Sequence, residues 1–163
     1  MDTSINLQDQ LEKISQIDWF KYSGNGFATP QQITQALTDL LTVIDKTDAD
    51  RVYEQLMSAV AHNHSGTYFP AMLDALPLIL FAALQPHNPV ASNIALCFLW
   101  DIYYCFWGAL EGYTGCSERE LDEFVVGTIA AHAADFARLD NKIGSELADL
   151  ILKEDKWQYY PQL

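Results

Sequence analysis

His62 and His64 lie one residue apart in the run His62–Ala71, with Ser65, Thr67 and Tyr68 close behind them. Two imidazoles, an aliphatic hydroxyl and a phenol in so short a span have the makings of a zinc site, a hydrolytic centre or a proton relay. A zinc site needs two more N, S or O ligands, and the nearest carboxylate, Asp74, is expected a turn or more inside the next helix. Ser65 is not framed by the G-x-S-x-G elbow of a serine nucleophile, and no glycine-rich phosphate loop occurs in the chain. Gly66 permits a tight turn, so the stretch is expected to be a corner between two helices. Its His and Thr side chains would then satisfy helix-end groups. The chemical alternative is a metal-dependent enzyme using His62, His64 and a carboxylate; the preferred expectation is no enzyme, no metal and no cofactor.

Other polar residues are set among apolar ones. His132 falls between Ile129 and Phe136 on one stripe and is expected to be a hydrogen-bonded core histidine. Asp101 stands among Phe98, Trp100, Tyr103, Tyr104 and Trp107, where an unpaired buried charge would be very costly. It must take a tyrosine or tryptophan donor, or lie at an exposed helix edge as an acidic contact beside an aromatic platform. Further on, Glu111, Glu118, Glu120, Asp122 and Glu123 cluster around a glycine-bearing turn, and Trp157, Tyr159 and Tyr160 crowd the last residues. The acids complement a helix N-terminus and also form a negative edge; Trp and Tyr are the residues that binding hot spots favour. These eight residues are the expected partner-binding set.

The elements that must position these groups follow from periodicity. Ile33, Ala36, Leu37, Leu40, Leu41 and Ile44 repeat at helical spacing behind Thr29 as N-cap and Pro30 at the first position. Val52, Tyr53, Leu56, Met57 and Val60 form a second stripe with Asp48 as cap, and Met72 to Ala83 a third, interrupted by Pro77, which should kink or restart it. Val90 to Leu110 reads as a central helix apolar on all sides. It is long enough to raise a membrane span, but Asn93 and Asp101 interrupt it and no Lys or Arg lies between Arg51 and Arg119 to anchor it. Ser117 and Glu120 form a capping box before a helix from Leu121 to Phe136, and a last helix carries Ile143, Leu147, Leu150 and Ile151. Nothing alternates with period two, so the 163 residues are expected to form a single all-α domain, residues 1–163, of about seven helices in antiparallel hairpins.

Composition narrows the class of partner. Half the residues are hydrophobic, which supports a packed core despite a formal charge of −13 from 22 acidic and 9 basic residues. That balance disfavours direct binding of nucleic acid or anionic membrane and favours a basic protein partner. The first residues lack the basic and apolar regions of a secretory signal, so a cytoplasmic location is expected. Three cysteines there are read as reduced, with Cys116 nearest to solvent.

The segments Ala28–Leu37 and Ala75–Leu84 share A-x-P-x-x-[I/L]-x-x-A-L at an offset within the range of HEAT and armadillo units. Trp19, Tyr22 and Gly24, then Pro30, Ile33, Leu37, Arg51 and Leu56, lead into the His62–Ala71 run and Ala-Leu-Pro-Leu-Ile-Leu. Over roughly residues 17 to 100 this series resembles the HEAT-repeat-like immunity proteins encoded beside bacterial polymorphic and contact-dependent growth inhibition toxins. The resemblance implies a short α-solenoid and a protein that neutralises a cognate toxin domain, a basic nuclease for preference, by binding over its active site. A HEAT-like adaptor or scaffold in a bacterial complex is the alternative on the same fold.

Overall fold

Thr29 and Ser117 each begin a helix by closing a reciprocal pair of hydrogen bonds. The Thr29 hydroxyl accepts from the Gln32 amide while the Thr29 N–H donates to the Gln32 side chain at 2.8 Å, with Pro30 at the first helical position. Ser117 and Glu120 repeat the device, the Ser117 N–H donating to the Glu120 carboxylate at 2.7 Å. In the computed structural model, residues 6–22 and 28–153 are described. Among them the helices are α1 (Leu7–Gln16), α2 (Pro30–Thr42), α3 (Ala49–Val60), α4 (Met72–Ala83), α5 (Pro89–Cys105), α6 (Glu118–Ala131), α7 (Ala133–Arg138) and α8 (Lys142–Lys153). Single 3₁₀ turns occupy Trp19–Tyr22 and Lys46–Asp48.

The class is all-α, with α5 at its centre. Ten of the seventeen residues of α5 are buried, and α2, α3, α4, α6 and α8 all pack against it. A helix apolar on nearly every side demands such cover. These contacts join the hairpin of α4 and α5 to the one before it, α2 and α3, and to the helices that follow. The two copies of the shared motif also take different places in their helices. Pro30 starts α2, whereas Pro77 is the sixth residue of α4. Pro77 is exposed and α4 runs through it without a break, so the carbonyl left without an amide partner faces the wet side of the helix.

Several expected boundaries move. α2 ends at Thr42, which leaves Ile44 outside the helix and 83% exposed. Asp48 precedes α3 without capping it, because its carboxylate turns to Arg51 at 3.2 Å. The helix expected from Leu121 to Phe136 divides at His132 into α6 and α7; His132 is half-buried and its Nδ1 lies 2.9 Å from the Thr128 carbonyl oxygen. Among the described residues no helix is long and apolar enough to cross a membrane. Cys105, at the end of α5, is the exposed cysteine, while Cys97 and Cys116 are half-buried.

The largest departure from periodicity is a small sheet. β1 (Ala61–His62) and β2 (Thr67–Tyr68) form an antiparallel hairpin, and β3 (Trp107–Gly108) adds to β2 in parallel. Two-residue strands are too short to show alternation, so only the turn was visible in sequence. β3 takes the last turn expected of the central helix: the Trp107 N–H donates to the Gly66 carbonyl at 3.0 Å and the Ala109 N–H to the Tyr68 carbonyl at 2.8 Å. Gly66, at φ +62°, supplies the left-handed residue that closes the hairpin.

One carboxylate ties this sheet to α6. Asp122 is 1% exposed, and its Oδ1 accepts from the Tyr68 hydroxyl and, at 2.6 Å, from the Gly108 N–H. A Cβ at Gly108 would stand 3.1 Å from Oδ1 and 3.0 Å from Leu121 Cδ2, so a larger residue there would have to push both side chains aside. Asp122 was expected on the partner-facing edge; it is instead a core acceptor, on the buried face of α6. Removing it would take this acceptor from the buried Tyr68 hydroxyl and the half-buried Gly108 amide. Asp122→Ala should cost about 3 kcal/mol and Tyr68→Phe about 1 kcal/mol. Because the pair shares one bond, urea denaturation of the double variant should show less than the sum.

Candidate functional site

The His62–Ala71 corner is held by its own hydroxyls. His62 Nδ1 lies 2.8 Å from Ser65 Oγ, which lies 2.6 Å from Thr67 Oγ1, and the His62 and His64 rings meet edge to face at 5.9 Å. His64 and Ser65 are exposed and His62 is half-buried on β1. The carboxylate nearest to them in sequence is committed elsewhere: Asp74 accepts from the Tyr22 hydroxyl at 2.8 Å and pairs with Lys21 at 2.6 Å. Among the described residues no three His, Cys, Asp or Glu side chains are grouped so as to hold a metal ion. The arrangement is that of a hairpin loop, whose serine hydroxyl is also 3.3 Å from the His62 carbonyl oxygen.

The acidic edge lies along the turn that follows β3 and the first turn of α6. Glu111, Glu118, Glu120 and Glu123 are all exposed. Two of them are partly committed. Glu120 serves the capping box, whose backbone and hydroxyl donors at Ser117 hold its carboxyl below the usual range. Glu123 pairs with Arg119 at 2.8 Å. Glu111 and Glu118 are exposed, and Phe124 on α6 is 37% exposed. Trp157, Tyr159 and Tyr160 lie outside the described residues.

Two anchors hold this edge. Tyr113 lays its ring 5.6 Å from that of Tyr22, whose hydroxyl is bonded to Asp74 on α4. Asp122, the fourth acid of the same run, grips Gly108 and Tyr68 from below. Between the anchors the chain reverses at Leu110–Tyr113, the Tyr113 N–H donating to the Leu110 carbonyl at 2.8 Å, with Glu111 at φ +46° and Gly112 at φ +91°. Both central residues are left-handed, a turn that suits Asn-Gly and strains glutamate. The backbone that carries the Glu111 carboxylate is thereby held between Gly108 and Tyr113.

A further acidic feature lies on α5. Asp101 is partly buried, and one of its oxygens accepts from the Tyr53 hydroxyl of α3, the tyrosine donor expected from sequence. Burial first, then the bond to Asp101 and its charge, push the Tyr53 hydroxyl pKa well above 10. Burial and Asp74 do the same to Tyr22. Beside Asp101, the rings of Trp100 and Tyr104 pack with centroids 5.0 Å apart. A signal for the burial of Asp122 was present in the sequence. Positions 122, 125, 126 and 129 share one helical face, and Val125, Val126 and Ile129 fill the rest of it.

No family model, curated protein or solved structure matches this chain.

Two outcomes follow from this geometry. Glu111→Asn keeps the turn and relieves its strain, so it should raise stability by about 1 kcal/mol in denaturant melts. The folded chain also holds the Tyr22 and Tyr53 protons more tightly than the unfolded chain does. Stability from these pairs is complete below pH 10 and drains away as pH rises beyond it. Tyr53→Phe should flatten the alkaline limb of the stability profile above pH 10 while lowering the plateau at neutral pH.

Proposed function

We propose that this chain is a binding protein of the immunity type, which neutralises a basic toxin domain by covering that domain's active site. The observation that carries the proposal is the anchored acidic edge at Glu111, Glu118, Glu120 and Glu123, in a chain whose positive charges are largely spent. Lys21, Arg51, Arg119, Arg138, Lys142 and Lys153 each lie beside a carboxylate within the chain. With 22 acidic and 9 basic residues, the surplus negative charge remains on the surface. Such a surface steers a cationic partner and slows or blocks its access to polyanionic substrate. A nuclease domain, which gathers Lys and Arg to hold phosphates, is the partner that best fits, in keeping with the resemblance carried by residues 17 to 100.

The mechanism is occlusion, with no bond made or broken. Edge charges act mainly on the rate of encounter, and a preordered turn lowers the entropy lost on docking. The test pairs the purified protein with the toxin domain encoded by its neighbouring reading frame. A complex at micromolar concentration or below, together with loss of the toxin's activity, is expected. Replacing Glu111, Glu118 and Glu123 together by glutamine should slow association about tenfold at low ionic strength and much less at high ionic strength. Binding that leaves the toxin active would favour an adaptor role; no binding at all would reject the proposal.

A further inference from the structure

The central helix is covered on every side except one. Along α5 the residues that are not buried from Asn93 onward are Asn93, Cys97, Trp100, Asp101, Tyr104 and Cys105, which follow one another at helical spacing down a single stripe. A helix otherwise packed among five others could fill that stripe with small or polar residues. Instead it carries a tryptophan, a carboxylate and a tyrosine that is 52% exposed.

The three side chains form a seat of definite chemistry. The Trp100 and Tyr104 rings lie one turn apart, 5.0 Å between centroids and tilted by 39°, so they pack obliquely rather than flat. Asp101 stands next to Trp100 on the same stripe. Its Oδ2 is tied to the Tyr53 hydroxyl, which fixes the carboxylate in place. Its Oδ1 takes no hydrogen bond from the described residues, and it is not a buried orphan, so it faces solvent. Burial and the nearby Asp101 hold the Cys97 thiol in its neutral form, so Asp101 supplies the charge of this stripe.

We infer that Trp100, Asp101 and Tyr104 seat an arginine side chain of a basic protein partner, the guanidinium lying against the rings while it donates to Oδ1. A planar cation on aromatic faces beside a carboxylate suits arginine better than lysine, whose compact ammonium is more strongly hydrated and does not stack. The overall charge of −13 favours the approach of such a partner. This inference rests on the proposed binding of a basic protein and adds a second point of contact to the acidic edge.

Nona-arginine and nona-lysine peptides of equal charge separate the two ideas. Each is titrated at low ionic strength into the full chain and into Tyr104→Ala, Trp100→Ala and Asp101→Asn variants, with circular dichroism melts to check folding. The arginine peptide is expected to bind about threefold or more tightly than the lysine peptide. That preference should vanish in Tyr104→Ala, whose half-exposed ring is the least tied to the core, and in Asp101→Asn. Equal binding of both peptides, unchanged in Tyr104→Ala, would overturn the seat and leave charge-driven docking standing. Failure of both peptides to bind the unaltered chain would overturn the seat and the charge-driven reading together.

Discussion

The Asp122 carboxylate is the acceptor on which the middle of this molecule depends. A buried acid in a chain with 22 acidic and only 9 basic residues is an unlikely economy, since a buried cation to match it would have to be desolvated as well. The chain supplies neutral donors instead: the Tyr68 hydroxyl from β2 and the Gly108 amide from β3 converge on one oxygen. That convergence holds the hairpin, the strand after α5 and the start of α6 in one arrangement. The path of residues 106 to 123 over the surface follows from it.

A tyrosine hydroxyl also meets the two half-buried acids discussed above, and Asp74 keeps an ion pair with Lys21 beside it. Tyr22 donates to Asp74 and Tyr53 to Asp101, each across about fifty residues of sequence. These bonds link the 3₁₀ turn to α4, and α3 to α5, while Tyr68 and Asp122 link the sheet to α6. Tyrosine does here what arginine does in less acidic proteins. It buries a ring against the core and presents one donor to a carboxylate, without the desolvation cost of a second charge. The lysines and arginines, freed from the interior, form surface pairs that contribute little to stability individually.

What was legible in the sequence follows from whether the signal was local. The Thr29 cap, the Ser117–Glu120 capping box, the proline at the head of α2 and, Ile44 apart, the stripes of α2 and α3 are set within a few residues, and they appear as expected. The surroundings of Asp101 narrowed it to a tyrosine or tryptophan donor or an exposed edge, and Tyr53 supplies the donor. The β-sheet was not legible, because pairing Trp107 with Thr67 depends on contact between segments forty residues apart and each strand is two residues long. The division at His132 was hidden for a related reason: Ile129 and Phe136 fit one helical stripe whether or not the helix is continuous. Asp122 is the instructive error. Its neighbours in sequence, Glu120 and Glu123, are exposed acids, and grouping by composition put it with them. Grouping by the 3.6-residue period puts it with Val125, Val126 and Ile129, where it lies.

That error has a functional consequence. With Asp122 facing inward, the acidic run is no longer a loose tuft of charges but a segment nailed down from beneath, with Tyr113 pinned to Tyr22 on its other flank. The carboxylate of Asp101 is likewise held from below by Tyr53 while its aromatic neighbours face outward. In both places an inward tyrosine–carboxylate bond fixes an outward negative surface. Charges on a rigid support lose less freedom when a partner arrives, and they present a fixed pattern that a wrong partner cannot induce. The interactions that stabilise the fold thus also set where its outward charges stand, which is how an acidic chain short of cations can still be well packed.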